Sequence, residues 1–240
     1  MKIFRSQLRQ ELTVMSRNGE QLLLLVVIPV MLLVFFSQTD LLPTTGENKL
    51  DFLLPGILSL AVISTAMVSL GIATGFERSY GVLRRLGTTP LGTRRLVAAK
   101  ISAIGIIETI QLLMLIVVGL LLGWSPSRVN LPQLLIFLML GTSCFAGIGL
   151  TLAGRLRAEV NLAAQNGLYL VFLLLGGIFV DSDELPTTLS QISALSPSSL
   201  FGELLRDSFN NKVVVADAIA LSFWAIAACA IAVTTFRWSD

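Results

Sequence analysis

The chain has 240 residues, of which 54% are apolar and 13% are charged, and its mean hydropathy is +0.82. Soluble domains carry about 25% charged residues, and disordered chains combine low hydrophobicity with high charge, so this composition excludes both classes. The net charge is only +2, and there is no His, which removes the commonest metal ligand and general base. The composition predicts an all-α integral membrane protein with a single domain over residues 1–240.

Six apolar segments are long enough to cross about 30 Å of hydrocarbon as helices. The first contains Pro29, which a membrane helix tolerates when neighbouring groups satisfy the freed carbonyl. No signal-peptidase site of small residues follows Phe36, so we expect this segment to be retained. The predicted spans are residues 22–38, 52–75, 101–122, 134–153, 162–179 and 213–236.

The segments that connect these spans differ in charge. One side, made of residues 1–21, 76–100, 154–161 and 237–240, carries 13 Lys and Arg against five Asp and Glu. The other side carries four Lys and Arg against nine Asp and Glu. The positive-inside rule therefore places the first side, with both termini, in the cytoplasm of a multi-pass protein of the cytoplasmic membrane.

Two segments outside the spans have helical patterns. In residues 1–20, Phe4, Leu8, Leu12 and Met15 recur at helical spacing, which indicates an amphipathic helix lying in the cytoplasmic interface of the lipid bilayer. The alternative is a basic flank that only fixes topology. Residues 181–212 have the pattern of two short helices on the outer surface, which form either a lid over an exit path or a packed loop.

Polar side chains inside the spans are candidates for a transport path. Glu108 is the one carboxylate in the interior of a span, and Gln111 follows it at i+3 on the same helix face. A charged group at mid-helix costs about 3 kcal/mol, so it should face protein or water, either lining a path or holding helices together. Asn161, Gln165 and Asn166 form a second polar cluster with the same two interpretations.

The motifs that carry enzyme chemistry are absent from this sequence. There is no phosphate-binding G-x-x-x-x-G-K-[ST] loop, no G-x-S-x-G and no His-based pair. Cys144 and Cys229 lie in apolar runs and read as small buried hydrophobes. We therefore expect no catalytic residue, no metal or cofactor on this chain, and no nucleic-acid partner.

The loop after the second span is the most informative segment. From Glu77 to Lys100 it carries six basic residues and one acidic residue, a net charge of +5. Positive-inside topology explains the charges but not Tyr80, Leu83 and Leu86 in a loop exposed to water. These residues predict a short helix with an apolar edge, stopped before Pro90, which indicates a protein partner.

At these residues the sequence resembles the membrane subunits of type-2 ABC exporters, including permeases of the daunorubicin-resistance type. A Pro in the first span, Pro55-Gly56 opening the second, Gly176-Gly177, Leu185-Pro186, Pro197 and Leu205-Arg206 are similar to that family in order. Gly87 stands where the family often has a larger apolar residue. The family's loop pattern Glu-Arg-x-x-Gly-x-Leu-x-x-Leu-x-x-x-Pro appears as Glu77, Arg78, Gly81, Leu83, Leu86 and Pro90.

The resemblance implies a partnership. Two such permeases, identical or different, would pair in the membrane, and two ABC ATPase subunits would bind from the cytoplasm and carry the ATP and Mg²⁺. The segment Glu77–Thr88 would be the coupling helix, which sits in a groove of the ATPase. The N-terminal helix would lie beside that groove. The implied ATPase-coupling residues are Phe76, Glu77, Arg78, Tyr80, Gly81, Leu83, Arg84, Arg85, Leu86 and Pro90.

Three functions compete at this point. An ATP-driven exporter is one, an ion-gradient-driven secondary transporter with Glu108 as proton carrier is the second, and an intramembrane enzyme is the third. The single carboxylate in the interior of a span and the absence of a visible inverted repeat weigh against the second. For an exporter, the two Tyr and three Trp argue against polysaccharide, and Trp124 and Trp238 fall where membrane anchoring suffices. A hydrophobic small molecule or lipid is the default substrate.

Overall fold

The computed structural model describes residues 2–39, 49–125, 129–176, 187–210, 212 and 214–238. Within these ranges the chain is helical and has no β-strand. A π-helical segment, Ile63–Ser69, joins α3 to α4 without a break. The helices are α1 (Lys2–Arg17), α2 (Gly19–Gln38), α3 (Lys49–Val62), α4 (Leu70–Ser79), α5 (Val82–Gly87), α6 (Thr93–Leu121), α7 (Leu131–Ala153), α8 (Ala158–Leu175), α9 (Thr187–Leu195), α10 (Pro197–Phe209) and α11 (Val215–Thr235).

Each predicted span coincides with a helix, which confirms the all-α membrane class. Five described helices are long and apolar enough to cross a membrane: Lys49–Ser79, α6, α7, α8 and α11. The apolar part of α2, Leu25–Gln38, is shorter. The six-span count therefore stays a prediction, and residues 177–179 of the predicted fifth span lie outside the described residues.

The helix Lys49–Ser79 lies at the centre of the bundle and is the most buried of the five. It packs against α2, α7, α8 and α10. The bundle has two ends. The α5 end also holds α1, the α7–α8 turn and the C-terminal residues 236–238, whereas the α10 end holds α9 and the residues that precede α7.

Small residues allow the helices to approach closely. A Cβ on Gly147 of α7 would lie 2.8 Å from the backbone of Ala228 on α11, and a Cβ on Gly149 would lie 2.6 Å from the carbonyl oxygen of Met67 in the π-helical segment. Only Gly fits at such contacts, and close backbone approach is a main source of helix association in lipid.

The outward faces of the long helices are apolar, as a lipid-facing surface requires. On α6, the side chains of Ile110 and Val117 are both 54% exposed, and on α11 that of Phe223 is 72% exposed. Polar and charged side chains of these helices lie mostly on the inward faces. The outer surface of the bundle is therefore apolar, which is the reverse of the polar surface of a soluble protein.

The α10 end is a packed layer over the bundle. The two predicted short helices are present as α9 and α10, and the positions Gly177 and Leu185-Pro186 of the sequence pattern lie outside the described residues. Trp124 is buried, donates from Nε1 to Asp51 Oδ1 at 2.7 Å and packs edge-on against Phe209. The expectation that Trp124 anchors the chain in the membrane interface is therefore wrong.

Candidate functional site

The predicted coupling segment is not one continuous helix, because its first residues form the end of α4 and α5 is a separate short helix. Helix α4 ends at Ser79, Gly81 takes a left-handed conformation with φ of 73°, and α5 begins at Val82. The single predicted helix over Glu77–Thr88 is therefore divided at Gly81. Only a residue without Cβ adopts this φ without strain, which explains the Gly of the motif.

The apolar edge of α5 faces inward. Leu83 is fully buried, and it packs with Leu91 and Leu96 of the same loop and helix α6, while Leu86 is partly buried beside them. The expectation that Leu83 is exposed for a partner is wrong, because Leu83 completes a small core of this chain. Tyr80 remains exposed, with 75% of its surface accessible, and stacks on Phe76.

The outward face of the loop is polar and basic. A shallow hollow of about 420 Å³ is bordered by Tyr80, Gly81, Arg84, Arg85 and Thr88. Both arginine side chains are exposed. A planar aromatic ring and two guanidinium groups on one rigid face are suited to binding a protein surface that carries carboxylates.

The two residues that begin the motif hold the loop on opposite sides. The ammonium group of Lys100 on α6 lies 2.8 Å from Glu77 Oε2 and 3.1 Å from Glu11 Oε2 on α1, and Gln7 donates to Glu11 at 2.7 Å. Lys100 is 1% exposed. Three elements, α1, α4 and α6, thus meet at one buried cation.

Arg78 turns the other way. Its side chain is buried, and its guanidinium donates to the carbonyl oxygen of Leu156 in the turn between α7 and α8. Its charge also lies near the carboxyl end of α7, where the helix dipole favours a cation. Glu77 and Arg78 together fix the start of the loop relative to α1, α6 and α7.

The C-terminal residues complete the α5 end. Phe236 and Trp238 pack against the cluster around Leu83, and the backbone of Arg237 donates to Gly154 in the α7–α8 turn. A Cβ on Gly87 would lie 3.2 Å from the Trp238 indole, so the ring occupies the space that a larger residue would fill. Trp238 is therefore part of this packing, and because it is only half-buried its membrane-anchoring role stays a prediction.

The N-terminal helix packs on α6 and α2. The four residues of its predicted apolar face are half-buried: Phe4, Leu8, Leu12 and Met15. The most buried side chains of α1 are Gln7 and Glu11, since Glu11 accepts from Lys100 and Gln7 donates to Glu11. Hydrophobic periodicity located the packed face approximately but missed the polar contact that fixes it.

A cavity of about 430 Å³ opens between α2, the π-helical segment and α8. Most of its wall is apolar, and its polar groups include Ser64, Thr65, Gln111 and Tyr169. The hydroxyl of Thr65 is buried and has no hydrogen-bond partner among the residues that the structure describes. The wide π turn brings this hydroxyl to the wall, in keeping with the frequent use of π turns at functional sites.

Of the predicted path residues on α6, one lines the cavity and one does not. Gln111 lines it and donates from Nε2 to the carbonyl oxygen of Leu25 on α2 at 2.5 Å. Glu108 is fully buried and accepts a hydrogen bond from Thr142 on α7, and it does not line the cavity. This geometry favours the interpretation of Glu108 as a group that holds α6 to α7.

The structure brings together Asn161 and Gln165 but not Asn166. Asn161 donates to the carbonyl of Gly71 at 2.9 Å, and Gln165 donates to the carbonyl of Gly149 at 2.9 Å and to Asn161 at 3.1 Å. Asn166 is exposed and bonds only within its own helix. A Cβ on Gly71 would lie 2.0 Å from Gln165 Nε2, so this glycine makes room for the amide.

Three functional candidates were missed by the sequence analysis. Lys100 was counted only as a topology charge because it directly precedes the third predicted span, whereas in the structure it lies about two turns inside α6. Thr65 lay in an apolar run and carried no signal, because nothing in the sequence predicts the π turn. Tyr169 is one of only two Tyr in the chain. Its place inside the apolar fifth span was the signal that could have marked it as a candidate.

Comparison with known proteins agrees with this fold. The sequence profile of the family described as ABC-2 type transporter matches residues 3–210, and the chain therefore belongs to that family. One relative, named "Putative transport permease YvfS" in Bacillus subtilis (strain 168), is 24% identical over 217 residues, which cover 86% of each chain.

Family membership defines the class. The chain is a membrane subunit of an ABC transporter, which makes it a transport subunit and not an enzyme, and the family implies an ABC ATPase as partner. The resemblance stated from the loop motif is confirmed at the level of the ABC-2 family. The daunorubicin-resistance subtype stays a prediction.

Proposed function

We propose that the chain is the permease of an ATP-driven exporter that moves a hydrophobic or amphiphilic substrate out across the cytoplasmic membrane. ATP and Mg²⁺ bind to two copies of the separate ATPase, and a second permease, identical or different, completes the membrane part. The observation that carries this proposal is the loop after α4, whose exposed face is basic and whose buried side is fixed to α6 and to the α7–α8 turn.

The loop has the properties that transmission of force requires. A segment that transmits force must be exposed where the ATPase contacts it and firmly attached where it joins the membrane helices. Tyr80, Arg84 and Arg85 supply the exposed face. Glu77 binds Lys100 on α6, and Arg78 binds the α7–α8 turn, so a displacement of α5 moves these helices together.

In this proposal, the cavity at the π-helical segment is the half of the substrate path that this subunit contributes. Its apolar walls suit a hydrophobic body, and Thr65 and Gln111 offer hydrogen bonds to one polar end. Ligand pockets in general combine such walls with few convergent polar groups. An amphiphile fits this chemistry better than a sugar polymer or an ion.

The proposed orientation places the α5 end in the cytoplasm. The loops at that end carry the excess of Lys and Arg described above, which the positive-inside rule assigns to the cytoplasmic side. Both termini then lie in the cytoplasm, and the hollow at Arg84 and Arg85 faces the compartment that contains ATP.

The ion-gradient alternative gains no support from the position of Glu108. A proton carrier must meet water or substrate in at least one state, and Glu108 is buried against Thr142 away from the cavity. It stays as the alternative that the following experiment separates.

The test is purification of the chain from its native membranes in mild detergent, followed by an ATPase assay with candidate amphiphiles. The expected result is recovery of a subunit with a phosphate-binding loop whose hydrolysis rises with substrate. Recovery of active permease without any ATPase would contradict the proposal, as would transport that follows an imposed proton gradient in the absence of ATP.

A further inference from the structure

A second groove lies on the outside of the bundle at the α5 end, apart from the cavity at the π-helical segment. It has a volume of about 470 Å³ and runs between α1, α2 and α6. Its walls are the apolar side chains of Leu12, Val26, Ile106 and Ile110, and Arg9 stands at its margin. An apolar slot with a single cation at its margin is complementary to an amphiphile, which joins an apolar chain to a polar head.

The groove opens on an exposed, apolar face of the bundle. Ile106 and Ile110 are 42% and 54% exposed on α6, whose neighbouring outward residues are also apolar. No described residue of the chain covers the slot. Because hydrocarbon chains surround this face in a bilayer, the natural occupant is an acyl chain.

The positive charge of Arg9 at the margin of the groove favours a lipid with an anionic headgroup. Arg9 is exposed, and no acidic side chain of the described ranges pairs with it. Arg5 lies one helical turn before it, and Thr13 lies one turn after it on the groove. An amphipathic helix at the level of the headgroups that presents Arg toward the lipid attracts phosphate.

We propose that this groove is a binding site for an anionic phospholipid of the leaflet at the α5 end, with one acyl chain between Val26 and Ile110 and the phosphate on Arg9. The bound lipid fills the space between α1 and the two helices α2 and α6, and so stabilises α1 in the position from which Glu11 reaches Lys100. The site is distinct from the proposed substrate cavity, although Gln111 lies between the two.

The test uses the full chain in nanodiscs of phosphatidylcholine that contain a trace of photoactivatable lipid. One probe is phosphatidylglycerol with a diazirine in the acyl chain, and the other is phosphatidylcholine with the same chain. Labelled peptides are then mapped by mass spectrometry. The expected result is that phosphatidylglycerol labels residues 106–110 about five-fold more than phosphatidylcholine, which corresponds to about 1 kcal/mol for one Arg at the surface.

Matched variants separate the site from general lipid contact. Arg9→Gln should reduce the labelling ratio at residues 106–110 to about one, which removes the contribution of that one Arg, whereas Arg17→Gln, also on α1 and exposed but off the groove, should leave it unchanged. Ile110→Trp should fill the slot and lower labelling by both probes there. Labelling at Phe223 on α11, which is exposed to lipid elsewhere, should not change with any of these variants.

Three outcomes would overturn the proposal. Equal labelling by both probes at residues 106–110 and at Phe223 would mean bulk annular lipid only. Competition by an excess of soluble glycerol phosphate would mean a site for a free phosphate group and not for a lipid. Loss of ATPase recovery in Arg9→Gln with an unchanged labelling ratio would assign Arg9 to protein binding.

Discussion

Gln111 on α6 donates to the carbonyl oxygen of Leu25 on α2, which is the carbonyl that Pro29 leaves without a partner. A proline at position 29 removes the N–H that would bond residue 25 in a continuous helix. In hydrocarbon an unsatisfied carbonyl is costly, so a donor must come from elsewhere. The side chain predicted as part of a transport path thus also completes the backbone of α2.

This relationship predicts a double-mutant cycle. Gln111→Leu should lower stability by about 0.6 to 1.7 kcal/mol, the range for hydrogen bonds between membrane helices. In a Pro29→Ala background, residue 29 supplies the backbone donor itself, so the same substitution should cost much less. Thermal unfolding of the four purified proteins in detergent measures the coupling. Equal costs in both backgrounds would show that Gln111 does not serve the Leu25 carbonyl.

Lys100 should be intolerant of substitution because two carboxylates depend on it. Lys100→Met should destabilise the chain by about 3 kcal/mol, at the low end for a broken buried pair because Glu77 is a quarter exposed. The matched control removes all three charges with Glu11→Gln and Glu77→Gln added. This variant should recover most of the lost melting temperature, and failure to recover would mean that Lys100 acts through packing and not charge.

Gly87 and Trp238 should behave as a pair. Gly87→Leu should displace the indole and cost about 1 to 3 kcal/mol, as overpacking does, with a red shift in Trp emission. In a Trp238→Ala background the added side chain occupies the vacated space, so the substitution should be nearly neutral. An undiminished cost without Trp238 would place the clash elsewhere in the loop.

The α10 end should make stability depend on pH. Burial, and secondarily the nearby Asp217, raise the pKa of Glu203 above its ordinary value of 4.5. A carboxyl whose pKa is raised in the folded state favours the protonated form, so its folded state is most stable below the ordinary pKa and loses stability as pH rises through the raised pKa. Glu203→Gln should therefore raise the melting temperature at neutral pH and flatten its decline with pH. A wild-type slope in the variant would contradict this.

Much of the fold was predictable because lipid imposes long apolar helices. Span positions, the amphipathic α1 and the two short helices before α11 followed from length and periodicity. The orientation of α5 did not, because a six-residue helix has one apolar edge that fits either a partner or its own chain. Leu83 is buried with Leu91 and Leu96, and two further residues of its packing, Phe236 and Trp238, lie far along the sequence.

The polar groups of the site were predictable by type but not by partner. Pro29 indicated that some donor must satisfy the carbonyl of Leu25, yet only the packing of α6 on α2 identifies Gln111. Similarly, Asn161 and Gln165 were visible as a cluster, while the sequence did not identify Gly71 and Gly149 as the residues whose carbonyls accept from them. Contacts between distant helices decide these roles, and a single sequence does not contain them.

The corrected orientation of α5 separates two kinds of variant in the loop. Leu83→Glu buries a charge in the cluster with Leu91 and Leu96, so it should destabilise the chain and lose ATPase binding only as a consequence. Arg84→Glu with Arg85→Glu changes exposed groups, so the permease should keep its melting temperature and lose the ATPase. A loss of melting temperature in the double Arg variant would show that these side chains are structural.

The most direct measurement is site-specific crosslinking in the native membrane, with a photoreactive residue at position 84 and a control at position 212 of the α10 end. A crosslink from position 84 to a subunit with a phosphate-binding loop, absent from position 212, is the expected result. Crosslinks from position 84 only to this chain or to lipid, in cells that express the transporter, would contradict the assignment of the α4–α6 loop as the ATPase-binding surface.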